Sequence, residues 1–495
     1  MRTLRSNVVS NLLQTVLGTG LLFLLYRFIN QSIGVSEFGI WSVVLATVAV
    51  SHLTDLGLTA GITRFVARDI GRANPIRAGQ VIDTVMITMA AMVAILSIPL
   101  YYLGTVLLPL FFKGHDLALA KLILPYALVS LWFTMLSTAV QGALDGCQRM
   151  DIRAALVLSG QLLFLMLALW LIPRHGILGL AWAQLLQGMI SVAAGRIILR
   201  RLLPDLRVIP LRWNLQTLKE MIGYGLNIQA STALLLLFDP VTKALLAKFG
   251  GPASAGLFEM ANQVVLKARA LIISANQAVV PYIAATHDSA KNGLSTDYAR
   301  NMRSVYATAI PMFSMVALWS PLVSWALLGS INTDFIKMAA LLSAAWCINV
   351  FNAPAYFFNM GTGAIHWNTW CQLITSLSNA GLGYGLGSFF AEDGVIAAYA
   401  ASLCAGSLFL ITAFQVQNRV SSPQISWPLF RTILCPIAAG IALALTATHP
   451  VHTTTTLLAP IGLSTACIAG LLWCDTHLKA LLQELRSHAP QKNQP

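Results

Sequence analysis

The sequence is short of charge. Asp, Glu, Lys and Arg make up 10% of its 495 residues, and the acidic ones number 18. Against that, 57% is hydrophobic and the mean hydropathy is +0.72. Such a balance excludes a soluble globular chain, whose charged fraction is nearer a quarter. Cysteines are few and scattered. Cys147, Cys347, Cys371, Cys404, Cys435, Cys467 and Cys474 form no CxxC and no Cys/His cluster. A disulfide framework and a metal site are therefore not expected, nor is a cofactor. There is no Gly-rich phosphate loop, which excludes a nucleotide-binding domain and direct ATP drive. Nucleic-acid motifs are absent as well. The excess of basic residues, +13 overall, is read as membrane orientation and contact with anionic lipid.

What is present is a succession of apolar runs long enough to cross a bilayer, about 20 residues each. They fall at 8–30, 38–61, 81–108, 120–143, 153–172, 177–198, 221–247, 255–285, 305–328, 336–360, 367–390, 395–415, 430–447 and 457–474, fourteen in all. Pro99 is expected to kink the third and Pro354 to break the tenth. The first run is too long for a signal-peptide core. With the N-terminus inside, 22 Lys and Arg lie on the cytoplasmic side, Arg196 among them, and six lie outside. That asymmetry places both termini in the cytoplasm. Between the second and third spans, Ile62 to Gln80 carries Arg64, Arg68 and Arg72 at four-residue spacing. This predicts an amphipathic helix on the inner leaflet. The outer loops are short, which leaves no room for the catalytic loop of a membrane glycosyltransferase, polymerase or ligase. The paired His449 and His452 read as solvent-facing. The chain is not expected to be an enzyme.

The chain also restarts. Gly34-Val35-Ser36-Glu37-Phe38-Gly39-Ile40-Trp41 is echoed 217 positions later by Gly251-Pro252-Ala253-Ser254-Ala255-Gly256-Leu257-Phe258. The fold class expected is all-α and polytopic: two six-helix lobes related by an internal repeat, plus two C-terminal helices. The expected divisions are 1–199 for the N-terminal lobe, 200–220 for a basic cytoplasmic linker, and 221–415 for the C-terminal lobe. Spans 13 and 14 follow at 416–474 and a polar tail at 475–495. Six spans precede the linker, so the halves share orientation and are related by an axis along the membrane normal.

Charges within spans are costly, roughly 2.5–3.5 kcal/mol each on insertion scales, and mark pathways or partners. Four are cations, Arg27, Lys243, Lys267 and Arg269; three are carboxylates, Asp55, Asp239 and Glu259. Lys267 and Arg269 fall near mid-membrane, where a phosphate or pyrophosphate would find a point charge and a bidentate fork. They serve equally as one side of an interhelical ion pair, with Asp55 as a partner for Arg269. Arg27 and Lys243 sit near outer ends, where they would form a ring of positive charge around a central substrate-binding cavity or snorkel to the interface. Lys243 has two candidate partners, Asp239 at i−4 and Glu259, and the three suit a gate. Asp55 and Asp239 are also candidate coupling carboxylates. Asn227–Thr232 and Asn262-Gln263 offer groups suited to sugar hydroxyls or to helix packing.

The opening Ser6-Asn7-Val8-Val9-Ser10-Asn11-Leu12-Leu13, the Gly34–Trp41 turn, and Leu53-Thr54-Asp55-Leu56-Gly57-Leu58 followed by Thr63-Arg64-Phe65-Val66-Ala67-Arg68 carry a resemblance. So does Gly223-Tyr224-Gly225-Leu226 with Asp239 and Gly251. Together they resemble the polysaccharide-export flippases of the multidrug/oligosaccharidyl-lipid/polysaccharide (MOP) superfamily. The likeness covers about residues 6–285. It implies alternating access and movement of an undecaprenyl-pyrophosphate-linked oligosaccharide, an O-antigen or exopolysaccharide repeat unit, across the bacterial inner membrane. It implies partners among polysaccharide polymerases and glycosyltransferases, besides membrane lipid. The family's cavity cations map to Arg27, Lys267 and Arg269. A drug or organic-cation antiporter of the same fold is the alternative reading.

Overall fold

The computed structural model describes residues 2–49, 58–204, 206–207, 210, 212–221, 238–277, 294–362, 364–420 and 462. Every regular element among them is a helix. They are α1 (Arg2–Ala49), α2 (Leu58–Gly71), α3 (Pro75–Leu107), α4 (Gly114–Gly146), α5 (Met150–His175), α6 (Ile177–Leu202), α7 (Phe238–Phe249), α8 (Gly251–Gln277), α9 (Leu294–Leu328), α10 (Thr333–Val350), α11 (Ala353–Thr362) and α12 (Ile365–Asn418). Among the described residues, seven helices are long and apolar enough to cross a membrane. The chain is a multi-pass membrane protein. Asp55, most of the seventh expected span with Asn227–Thr232, the thirteenth, and the fourteenth apart from residue 462 lie outside the described residues.

Two helices are longer than a bilayer allows. The 54 residues of α12 would rise about 80 Å at 1.5 Å each, against an apolar core of about 30 Å. The backbone breaks it at Ala391 (φ 51°, ψ −133°), between the expected eleventh and twelfth spans. The 48-residue α1 breaks at Gly34 (φ 81°, ψ 167°), between the first and second. The tenth expected span divides into α10 and α11. Pro354 stands at the second position of α11, where its missing N–H costs no helical bond. Through Pro99, by contrast, α3 runs on as helix.

The chain forms two compact units, Met1–Glu259 and Met260–Pro495. In the first, α2 has the amphipathic character expected. Leu58, Ile62 and Val66 are fully buried, while Arg64 is exposed. Its extent differs from the expectation. The helix ends at Gly71, Arg72 lies in the following turn, and residues from Pro75 belong to α3. The cause is local. A residue before proline is pushed out of the helical region, and Asn74 there accepts the Arg77 N–H at 3.1 Å, capping the next helix. The apolar face of α2 also packs on protein. Thr63 Oγ1 donates to the Gly142 carbonyl of α4 at 3.1 Å, and Ile62 and Val66 join the core that α3, α4 and α6 share.

The segment after α6 is fastened to the lobe. The Arg207 carbonyl accepts from Arg196 Nε at 3.0 Å and Nη2 at 2.7 Å. Trp213 Nε1 donates to Thr88 Oγ1 at 3.1 Å, and Thr84 Oγ1 donates to the Arg212 carbonyl at 3.4 Å. Arg196 pairs with Asp83 of α3, and both side chains are buried. The sequence places Arg196 at the inner end of the sixth expected span. Its side chain turns inward and meets a carboxylate there.

The second unit has a different interior. Tyr298, Phe358 and Phe414 form one apolar centre. Beside it runs a line of amides: Asn349 and Asn352 both donate to Ser407 Oγ, at 3.0 and 3.1 Å. Asn359 donates to Asn368 Oδ1 at 3.0 Å, and Asn368 to the Tyr356 carbonyl at 3.0 Å. In a membrane protein such pairs hold helices together where apolar burial gains little.

Candidate functional site

The turn at Gly251 brings two charges face to face. Its φ of +82° suits glycine and reverses the chain between α7 and α8. Lys243 lies eight residues before it and Glu259 eight after. On antiparallel helices those positions oppose each other, and Lys243 Nζ meets Glu259 Oε2 at 2.6 Å. Both side chains are largely buried, 13% and 12% exposed. Of the two partners open to Lys243 in the sequence, Glu259 is the one bonded. Asp239, half-buried in the first turn of α7, acts on Lys243 through its field.

The first repeat builds the same turn. Gly34 has φ +81° against +82° at Gly251. Tyr26 and Ser42, eight residues to either side of Gly34, are the counterparts of Lys243 and Glu259 at the 217-residue offset. All four border one cavity inside the first unit, of about 290 Å³. The repeat therefore places an ion pair from one copy beside an aromatic hydroxyl and a serine from the other. Arg27, adjacent to Tyr26, is half-buried on α1 and is not among the residues bordering this cavity.

The second unit holds Lys267 and Arg269, the cations expected at mid-depth. Arg269 sits with its guanidinium 4.7 Å over the Trp346 ring. Trp346 Nε1 donates to Asn262 Oδ1 at 3.3 Å, and the Tyr399 hydroxyl reaches the same oxygen at 3.5 Å. Arg269 is thus oriented by an aromatic face, a cation–π contact worth more when desolvated. Lys267, two residues earlier and half-buried, has no ion pair or hydrogen bond among the described residues. The pairing of Arg269 with Asp55 falls outside them.

Among the described residues no group of three or more metal-binding side chains occurs. Cys147, Cys347, Cys371 and Cys404 are free thiols. Burial pushes Cys147, just beyond α4, up to about 11, against the pull of Arg149.

Sequence reasoning missed Tyr26 and Ser42, though the repeat offset from Lys243 and Glu259 points to both. It also passed over the glutamines of α5 and α6 that border the same cavity. Their signal is an amide inside an apolar span, which needs a partner at that depth.

A family described as "Polysaccharide biosynthesis protein" matches residues 4–287. The chain belongs to that family. The match takes in all seven charged candidates, from Arg27 to Arg269. No curated protein matches the chain. Among solved structures, lipid II flippase MurJ in an inward closed conformation is similar with a TM-score of 0.71 and 12% identity. That likeness covers 97% of this chain and 99% of the other. An inward-facing multidrug resistance MATE family transporter of the MOP superfamily is similar with a TM-score of 0.65 and 16% identity, over 82% of this chain and 94% of that one. A MOP superfamily transporter from Pyrococcus furiosus is similar with a TM-score of 0.60 and 17% identity, over 83% and 95%. The fold of this polysaccharide-biosynthesis family member is similar to those of these three transporters.

Proposed function

We propose that the protein is a flippase. It moves an undecaprenyl-pyrophosphate-linked oligosaccharide, a polysaccharide repeat unit, across the inner membrane by alternating access. The observation that carries this reading is the joining of a polysaccharide-biosynthesis sequence to a MOP fold. A chain built of membrane spans with short outer loops contributes to polysaccharide assembly by moving an intermediate.

The buried cations give the reading its chemistry. A pyrophosphate needs fixed positive charge to leave the headgroup region, because an unpaired anion in a low-dielectric interior costs several kcal/mol. Lys267 supplies an ammonium with no partner among the described residues. Arg269, held over Trp346, supplies donors in a fixed plane. Arg27 adds positive charge nearer the outer surface, while Lys243 is balanced by Glu259 and belongs with Asp239 to a gate. The basic residues of the inner loops support cytoplasmic termini. The division into lobes at 200–220 goes with this scheme, and the substrate would pass from glycosyltransferases to a polymerase.

A drug or organic-cation antiporter has one observation in its favour, the likeness to MATE transporters. Deleting the gene separates the two. A flippase predicts loss of the surface polysaccharide and accumulation of its lipid-linked repeat unit, with drug sensitivity unchanged. Normal polysaccharide with increased sensitivity to cationic drugs sinks the flippase reading.

A further inference from the structure

We propose that the cavity in the first unit is a binding site for an uncharged sugar of the lipid-linked oligosaccharide. This rests on the flippase reading and deepens it: Lys267 and Arg269, proposed above for the pyrophosphate, are not among the residues bordering the cavity.

Three observations carry it. The first is the charge balance. Among the described residues, the charged side chains bordering the cavity are Lys243 and Glu259, and these neutralise each other at 2.6 Å. A phosphate or a drug cation entering here meets no net opposite charge. The ligand that fits is neutral.

The second is orphaned polarity. Ser42 is 4% exposed, and its Oγ has no hydrogen-bond partner among the described residues. The Oε1 of Gln161, on α5, is likewise buried without a partner. Both residues border the cavity, as do Gln184 and Gln187 of α6. Gln187 is partly engaged, donating to Ser191 Oγ at 3.0 Å. An unsatisfied buried polar group costs about 1–3 kcal/mol. Two beside one cavity are explained by a ligand that supplies the missing hydrogen bonds. Serine and glutamine both donate and accept, which matches a hydroxyl, itself donor and acceptor.

The third is shape. Tyr26 and Trp41 present aromatic surface to the same space, with Tyr26 packed against Phe38 at 5.1 Å between ring centroids. A pyranose has the corresponding character, with hydroxyls around its edge and C–H groups on its faces. The volume, about 290 Å³, lies just below the usual range of ligand pockets, roughly 300–1,000 Å³. It suits one or two sugar rings and excludes a whole repeat unit.

Native mass spectrometry of the full chain tests this, with two probes: bare undecaprenyl pyrophosphate, and the same lipid carrying the host's repeat unit. Wild type is expected to prefer the glycosylated lipid. Ser42→Ala, Gln161→Leu and Gln184→Leu should each lower that preference by about tenfold or less, and the double and triple variants by more, with affinity for the bare lipid unchanged. Should a leucine variant fail to fold, Gln161→Asn and Gln184→Asn shorten the reach while keeping the amide, and predict loss in the same direction. Folded variants with wild-type preference overturn this inference and leave the flippase reading standing. A wild type that binds neither lipid overturns both.

Discussion

Gly39 and Gly256, 217 positions apart, lie backbone to backbone between α1 and α8. A Cβ on Gly39 would stand 3.0 Å from the Gly256 nitrogen, and one on Gly256 would stand 3.1 Å from the Gly39 nitrogen. Each would also strike the carbonyl that is the other's counterpart, Pro252 for Gly39 and Val35 for Gly256. The contact is two-fold in character: position i of one repeat meets position j of the other, and j meets i. Only glycine allows this approach, because the obstructing atoms are backbone and cannot rotate away.

Gly39→Ala and Gly256→Ala should therefore behave alike. Each forces the two helices apart, at a cost of about 1–3 kcal/mol typical of overpacking. Thermal unfolding in detergent should show similar downward shifts for both. Unequal shifts, with one variant at the wild-type midpoint, would contradict the symmetry.

Arg196→Ala should be severe. It leaves Asp83 charged and buried, a situation that costs about 3–5 kcal/mol, and it frees the Arg207 carbonyl that ties down the segment after α6. Replacing both members, Arg196→Met with Asp83→Leu, removes the unpaired charge and should recover part of the loss. Membrane abundance of the three proteins checks this: a double variant worse than the single would refute it.

The repeat was legible in the residues because its signature glycines are required by geometry. Gly34 and Gly251 hold positive φ and reverse the chain, so both copies kept them. Seven apolar spans among the described residues were legible from run length, and the breaks at Gly34 and between α10 and α11 fall where expected. The end of α2 was not. Arg64, Arg68 and Arg72 continue the four-residue pattern past Gly71, but the Asn74–Pro75 pair stops the helix regardless of spacing. The pairing of Arg196 with Asp83 was not legible either, since a basic residue at a span's inner end gives no sign of its partner. At the cavity, the charged pair stood out against apolar surroundings, while Tyr26 and Ser42 are unremarkable in composition. Their place follows only when the repeat offset is applied to Lys243 and Glu259.

Lys243→Ala should destabilise more than Lys243→Ala combined with Glu259→Gln. The single change leaves a carboxylate in a largely buried site without its ammonium, and the double change removes that charge. A double-mutant cycle on thermal stability should return a coupling of about 1–3 kcal/mol. Additive effects would mean that the 2.6 Å pair contributes no coupling.

Cys147 should resist alkylation at neutral pH. With its thiol pushed up to about 11, only about a thousandth is thiolate at pH 8, and thiolate is the reactive form. Labelling by N-ethylmaleimide, followed by peptide mass mapping, should rise about tenfold per pH unit up to pH 10. A cysteine placed at exposed Ala73 should label readily throughout. Equal rates at the two positions at pH 8 would refute the shift.

The central claim is that the protein flips a lipid-linked anionic glycan by way of the half-buried cations Lys267 and Arg269. Proteoliposomes loaded with the host's undecaprenyl-pyrophosphate-linked repeat unit, and probed by an enzyme that modifies only outer-leaflet glycan, test it most directly. Wild type is expected to expose the inner pool. Lys267→Ala and Arg269→Ala should each slow exposure by at least about tenfold, and Arg174→Ala, an exposed residue stacked on Trp170, should leave it near wild type. Exposure no faster than in protein-free vesicles would contradict the flippase reading. Equal rates for all three variants would remove Lys267 and Arg269 from the transport path.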